Sequence, residues 1–203
     1  MNKNRLEAFS DAVMAVAITL LALDLKVDRV DGMPLRTQLW QQWPSFAAYA
    51  VSFFIIGCIW ISHHTLFRMA TGVDRTVMVA NILLLLFVTA IPFTTATYAD
   101  YAEAGGSDAR VAVLAYGIVM AGMSISFTLI LRQLLRAGLF KVPLTAAQRR
   151  KLLFRYGIGM IVYPAITLVG LFNAPVMLLM YIPVIGYYFG PGSRILEDES
   201  ALG

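Results

Sequence analysis

A few polar side chains stand out in this sequence as able to carry chemistry. Near the amino terminus, Arg5, Ser10 and Asp11 place a cation, a hydroxyl and a carboxylate within two helical turns, with Phe9 among them. Further on, Trp60 precedes the adjacent pair His63 and His64, and Asn81 stands in an apolar run. Held together, a carboxylate, an imidazole and a hydroxyl could relay protons or hold a metal ion, or they could simply hydrogen-bond one membrane helix to the next. Adjacent histidines point about 100° apart on a helix. They therefore do not make the i, i+4 pair of zinc proteases, and no His-Glu-x-x-His stretch accompanies them. No metal site is expected, and polar contact between helices is the expected role.

The elements that position these groups follow from composition. The 203 residues are 59% hydrophobic and 14% charged, with mean hydropathy +0.73, far from the roughly 25% charged of soluble domains. This is the composition of an all-α integral membrane protein with no separate soluble domain. Six apolar segments, at about residues 6–25, 44–69, 76–98, 111–135, 152–172 and 174–190, make residues 1–203 a single six-helix transmembrane unit. The first has only twelve residues between Asp11 and Asp24, roughly 18 Å of helix, which suits a helix surrounded by protein. Pro175, Pro183 and Pro191 predict a kinked last helix at the periphery. The longest connection, Lys26 to Trp43, carries Leu35, Leu39 and Trp40 and reads as a loop with a small interfacial helix. Gly105-Gly106-Ser107 marks one turn, and Gly138 with Pro143 another. The second half does not repeat the first.

Charge sets orientation. Twelve of the sixteen Lys and Arg residues fall on the side holding both termini: Lys3, Arg5, Arg68, Arg75, Arg132, Arg136, Lys141, Arg149, Arg150, Lys151, Arg155 and Arg194. The other side has Lys26, Arg29, Arg36 and Arg110, with Asp24, Asp28, Asp31, Asp100, Glu103 and Asp108. Both termini are thus expected in the cytosol. The basic surplus, net +4 and pI near 9.3, is an orientation signal with scope for contact to anionic lipid; it forms no stripe that would bind nucleic acid. The single cysteine, Cys58, can neither pair within the chain nor join a cysteine metal motif. The amino terminus resembles a signal peptide, but Glu7 and Asp11 precede its apolar stretch and Ala22-Leu23-Asp24 is a poor cleavage site, so it reads as a retained helix.

With that orientation, counting about 1.5 Å per residue from the cytosolic ends brings Asp11, His64 and Asn81 to a similar depth. Ser10, Asp11, His63 or His64, and Asn81 are therefore expected to form one hydrogen-bonded cluster, with Arg5 and Trp60 at its edges. Farther along the first helix, Val16, Thr19, Leu20 and Leu23 share one face. The small residues Ala12, Ala15, Ala17 and Ala22 are assigned to the other faces, where neighbouring helices could approach closely. That leaves the Val-Thr-Leu-Leu stripe free to face a symmetry axis.

The opening run Arg5-x-x-x-Phe9-Ser10-Asp11, continued by Ala-Val-Met-Ala-Val-Ala-Ile-Thr-Leu-Leu-Ala-Leu-Asp-Leu, resembles the first helix of the transmembrane protein 175 family, the endosomal and lysosomal potassium channels, in its prokaryotic branch. Trp60-x-x-His63-His64, Asn81 and Ile91-Pro92-Phe93 also resemble the family pattern, which covers the first half well and the second half by topology. The resemblance implies a homotetramer in the bacterial inner membrane, permeable to potassium ions and needing no cofactor. Its pore would be lined by helix one of each subunit, without a reentrant filter loop. Carried onto this sequence, the hydrophobic constriction falls on Val16, with a hydroxyl layer at Thr19 and apolar layers at Leu20 and Leu23. The family often has isoleucine or leucine at the first of these positions. Arg5, Phe9, Ser10, Asp11, Trp60, His63, His64 and Asn81 would belong to a network holding the pore helix. Rings of Thr19 hydroxyls imply only modest selectivity for potassium, with Asp24 and Asp28 concentrating cations at the outer mouth.

Two other functions compete. A proton-coupled secondary transporter could use Asp11 and His63 or His64, although transporters commonly show internal repeats and none is visible here. A membrane enzyme would need a nucleophile with its acid and base, and neither Cys58 nor Ser62 has a matching set.

Overall fold

The structure is a computed structural model describing residues 2–27, 30–102 and 105–189. Asp28, Arg29, Glu103, Gly190, Pro191 and Arg194, which the sequence reading uses as charges, a helix end or a kink, lie outside the described residues. Within them the chain forms α1 (Lys3–Leu21), extended by a 3-10 turn Ala22–Asp24, then α2 (Leu35–Gln41), α3 (Trp43–Arg68), α4 (Arg75–Tyr101), α5 (Gly106–Arg136), α6 (Ala146–Gly157), α7 (Gly159–Gly170) and α8 (Ala174–Phe189). The short α2 occupies the Lys26 to Trp43 connection.

Among the described residues, five stretches are long and apolar enough to cross a bilayer: Lys3–Asp24, Trp43–Arg68, Arg75–Tyr101, Gly106–Arg136 and Ala146–Gly170. The sixth apolar helix, α8, has 16 residues, about 24 Å at 1.5 Å each, short of the roughly 30 Å hydrocarbon core.

Helix starts are set by local chemistry. Asp74 caps α4, its Oδ1 accepting from the Val77 N–H at 2.8 Å while Oδ2 accepts from Gln133 Nε2 at 2.6 Å. These donors hold its carboxyl below the usual carboxylate range. At α6 a capping box forms: the Thr145 hydroxyl accepts from the Gln148 N–H at 3.3 Å, and Gln148 Oε1 accepts from the Thr145 N–H at 2.8 Å. The helix therefore begins at Ala146, ahead of the apolar segment expected from about residue 152.

The fifth span is interrupted for one residue, Ile158, whose backbone stays in the right-handed helical region. Two carbonyls there are met by side chains: that of Arg155 accepts from the Tyr188 hydroxyl at 3.2 Å and that of Tyr156 from Thr128 Oγ1 at 3.3 Å. Arg155, counted above as a cytosolic loop charge, is buried. Its guanidinium lies 5.4–6.0 Å from the ring centres of Tyr156, Tyr187 and Tyr188, and Nη2 donates to the Tyr188 carbonyl at 3.4 Å. Cation–π attraction and the negative end of the α8 dipole support a charge there.

The core gathers around α5, which packs against α4 on one side and α7 on the other and has 61% of its central window buried. Close approach is permitted by absent side chains. A Cβ on Gly117 would stand 2.1 Å from Thr167 Oγ1, and one on Gly170 2.7 Å from the Met177 sulfur. The loops after α3 and α5 are pinned together by Thr71 N–H to Leu139 O at 2.8 Å and Lys141 N–H to Met69 O at 2.9 Å. In contrast, α1 packs chiefly on α3 and α4, and just 28% of its window is buried within the single chain.

Candidate pore helix and its polar support

The two faces of α1 differ sharply. Leu6, Ser10, Met14, Ala17 and Leu21 are buried. Phe9 and Val16 are each 56% exposed, Leu23 65% and Leu20 39%, and Arg5, Ala12 and Thr19 are exposed with them. Positions 5, 9, 12, 16, 19, 20 and 23 recur every three or four residues, so these side chains form one longitudinal stripe. Val16, Thr19, Leu20 and Leu23 thus stand together on the face that the rest of the chain leaves uncovered. The Thr19 hydroxyl donates back to the Val16 carbonyl at 2.8 Å, which leaves its oxygen lone pairs free. One expectation needs correcting. Of Ala12, Ala15, Ala17 and Ala22, only Ala17 is buried; Ala12, four residues before Val16, belongs to the exposed stripe.

The polar groups behind this stripe make two rows, not the single cluster expected. In the first, Asn81 Nδ2 donates to Ser10 Oγ at 2.9 Å, Asn81 Oδ1 pairs with His63 Nε2 at 2.9 Å, and the Ser10 hydroxyl donates to the Leu6 carbonyl at 2.9 Å. Because the Asn81 oxygen can only accept, the ring must donate from Nε2. Ser10, His63 and Asn81 are each 0% exposed, and His63 stacks on Phe67 with ring centres 4.3 Å apart. Its Nδ1 is buried without a partner among the described residues.

The second row lies at the surface. Asp11 Oδ1 accepts from Trp60 Nε1 at 3.0 Å, and Trp60 stacks on His64 at 6.0 Å. Trp60 is 44% exposed, and His64 is exposed too. The split follows from helix geometry: Ser10 and Asp11, like His63 and His64, are neighbours about 100° apart, so one of each pair faces the interior and the other the surface. Arg5 has no side-chain partner among the described residues. Lys3 anchors the foot of α1 instead, donating to the Phe67 carbonyl at 2.9 Å and lying 3.7 Å from Glu7.

A further buried row escaped the sequence reading. The Thr95 hydroxyl donates to the Ile91 carbonyl at 2.7 Å and pairs with Ser52 Oγ at 2.8 Å, and Ser52 pairs with the Tyr116 hydroxyl at 2.9 Å, tying α3, α4 and α5 together toward the opposite end. Nearby, the Tyr98 hydroxyl donates to the Ala174 carbonyl. The available signal was hydroxyl residues inside apolar runs, a weak one, since such groups can also bond their own helix backbone. At that end Asp24 stands with Lys26, Gln42, Ser45, Tyr49 and Asp100 around a polar pocket of about 270 Å³. No group of three or more His, Cys, Asp or Glu side chains able to hold a metal occurs among the described residues.

Residues 5–92, which hold the stripe and both polar rows, match the family model described as endosomal/lysosomal potassium channel TMEM175. Over nearly its whole length the chain is 39% identical, across 193 residues, to a potassium channel of Streptomyces collinus, covering 94% of this chain and 93% of that one. The chain belongs to the TMEM175 family. A TMEM175 proton channel of Gallus gallus is 36% identical over 112 residues, covering 51% of this chain and 22% of the larger protein. The crystal structure of a lysosomal potassium-selective channel TMEM175 homolog from Chamaesiphon minutus superposes with a TM-score of 0.80 at 28% identity, covering 92% of this chain and 95% of that one. Membership makes the chain a membrane channel protein and no enzyme.

Proposed function

We propose that this TMEM175 chain is one subunit of a potassium-permeable channel, in which four copies surround an axis lined by the exposed stripe of α1. The observation that carries the reading is the division of α1 itself. An apolar stripe from Phe9 to Leu23 is left uncovered, while its back is fastened by fully buried Ser10, Asn81 and His63. A pore wall needs this combination of an apolar inner surface and a rigid mount. The Streptomyces collinus relative is likewise named a potassium channel.

In this assembly a ring of Val16 is the narrowest apolar layer. Apolar rings gate by dewetting: water leaves a narrow ring and returns once it widens modestly. Thr19 adds a layer of hydroxyl oxygens, and Leu20 and Leu23 further apolar layers outward. Without rings of backbone carbonyls, discrimination against sodium is modest. Asp24, exposed at the end of the 3-10 turn, raises the local cation concentration. Neighbouring copies cover the remaining exposed surface of α1, and α8 makes a sixth, peripheral span. Both termini face the cytosol of a bacterial inner membrane, where Arg149, Arg150 and Lys151 meet anionic lipid.

The test is flux in liposomes under asymmetric potassium, sodium and proton gradients; the proton arm is included because the vertebrate relatives are named proton channels. Val16→Asn should wet the ring and raise leak, Val16→Phe should reduce flux, and Thr19→Val should weaken potassium preference while flux persists. Ala17→Asn, on the buried face, should lower yield instead. Unchanged conductance and selectivity across the three stripe variants in assembled protein would remove the α1 pore. Saturable flux driven only by a pH gradient would establish the proton-coupled transporter in its place.

A further inference from the structure

About a quarter turn around α3 from His63, a cavity of about 30 Å³ lies where α3, α5, α8 and the α6–α7 junction converge. Five hydroxyl-bearing residues line it with the Cys58 thiol: Ser62 on α3, Ser124 on α5, Tyr156 on α6, Tyr163 on α7 and Tyr188 on α8. Tyr188 and Cys58 donate to the Arg155 and Ile185 carbonyls, and Tyr156 lies against Arg155. Ser62, Ser124 and Tyr163 are 9%, 4% and 6% exposed, and none of these three hydroxyls has a hydrogen-bond partner among the described residues. The remaining lining is apolar or aromatic, including Ile55, Ile59 and Phe127, and carries no charge.

A hydroxyl withdrawn from water and left unpaired is unfavourable, and native proteins satisfy nearly all such groups. Here three line one space. A water needs roughly 10–15 Å³ measured this way and two to four polar partners, so the cavity has room for about two oxygen atoms with enough donors and acceptors to hold them. An anion finds no cation in the lining, and a metal ion finds no ligand set.

We propose that this cavity is a binding site for a small hydroxylic molecule whose oxygen both donates to and accepts from Ser62, Ser124 and Tyr163. Water and methanol offer the same oxygen chemistry. Methanol would add one methyl group beside Ile55 and Ile59. The site does not depend on what passes along α1.

Thermal unfolding of the full-length protein in nanodiscs tests this through the sign of the change. With an oxygen bound, Ser124→Ala and Tyr163→Phe each strand it and lower Tm by about 2–4 °C. The double variant falls by less than the sum, because both residues hold one occupant. A Tm that rises or stays level in both single variants would mean that the hydroxyls were simply unpaired, and would overturn the proposal, as would strict additivity. If Tyr163→Phe fails to fold, Ser62→Ala completes the same cycle. Titration with methanol separates the sources. Wild-type protein stabilised relative to the double variant identifies an alcohol site, and equal shifts in both, with the non-additive cycle intact, identify a water site.

Discussion

Replacing Asn81 with alanine should loosen the mount of α1 more than any other single change to a polar group. The side chain is fully buried and makes two hydrogen bonds of 2.9 Å, one to Ser10 and one to His63. Ser10 would still donate to Leu6, but His63 would lose the partner of Nε2 while Nδ1 already has none. Intramembrane hydrogen bonds average about 0.6 kcal/mol and reach about 1.7, and a stranded buried donor costs about 1–3 kcal/mol. Together these give a loss of about 2–3 kcal/mol, or about 4–12 °C in Tm for a chain of this size. The assay is thermal unfolding of purified protein in nanodiscs, with Ile82→Ala as control: Ile82 adjoins Asn81 on α4 but is 59% exposed and should be close to neutral. Liposome flux is read alongside, where a loosened α1 should leak. An Asn81→Ala shift no larger than that of Ile82→Ala would refute the view that this row fastens the helix.

Asp11→Ala removes one bond, to a Trp60 that is 44% exposed, so it should cost about 1–2 kcal/mol at most and act on assembly more than on ion preference, read by size-exclusion chromatography beside flux. Asp74 has a lowered pKa, so its contribution is present above the unfolded value of about 3.9 and is lost as pH falls through the lower folded value. Asp74→Asn should therefore flatten the loss of Tm below about pH 4. Gly117→Ala, placing a methyl 2.1 Å from Thr167 Oγ1, should force α5 and α7 apart and lower stability by about 1–3 kcal/mol; paired Gly117→Ala and Thr167→Ala should recover part of it. In a Cys58→Ser background, a cysteine at Ala147 should label only from the cytosol and one at Ser107 only from outside, and reversed accessibility would overturn the orientation.

Depth was legible in the sequence because a membrane helix advances a constant distance per residue. Counting inward from Arg68 and Arg75 was enough to put the histidine pair, Asn81 and the start of α1 at one level, and the structure brings Ser10, His63 and Asn81 into one row there. Which histidine faces inward was not legible. His63 and His64 differ only in rotation about α3, and that is settled by where α1, α4 and α8 pack on it. The same limit explains Ala12: its size suits a helix contact, but its position beside Val16 puts it on the open stripe.

By itself the sequence determined the apolar spans, because the bilayer acts on each segment through its length and polarity alone. It also determined which residues share a face of α1, since 3.6 residues per turn is a local property. Only the tertiary structure decided which way each face points. It buried Arg155 among three tyrosines, joined Ser52, Thr95 and Tyr116 across three helices, and placed Ser62, Ser124 and Tyr163 around one cavity. Hydropathy cannot report such choices, because lipid and protein interior are alike in polarity. A helix's rotation is instead set by close packing and by the few polar groups that must find one another.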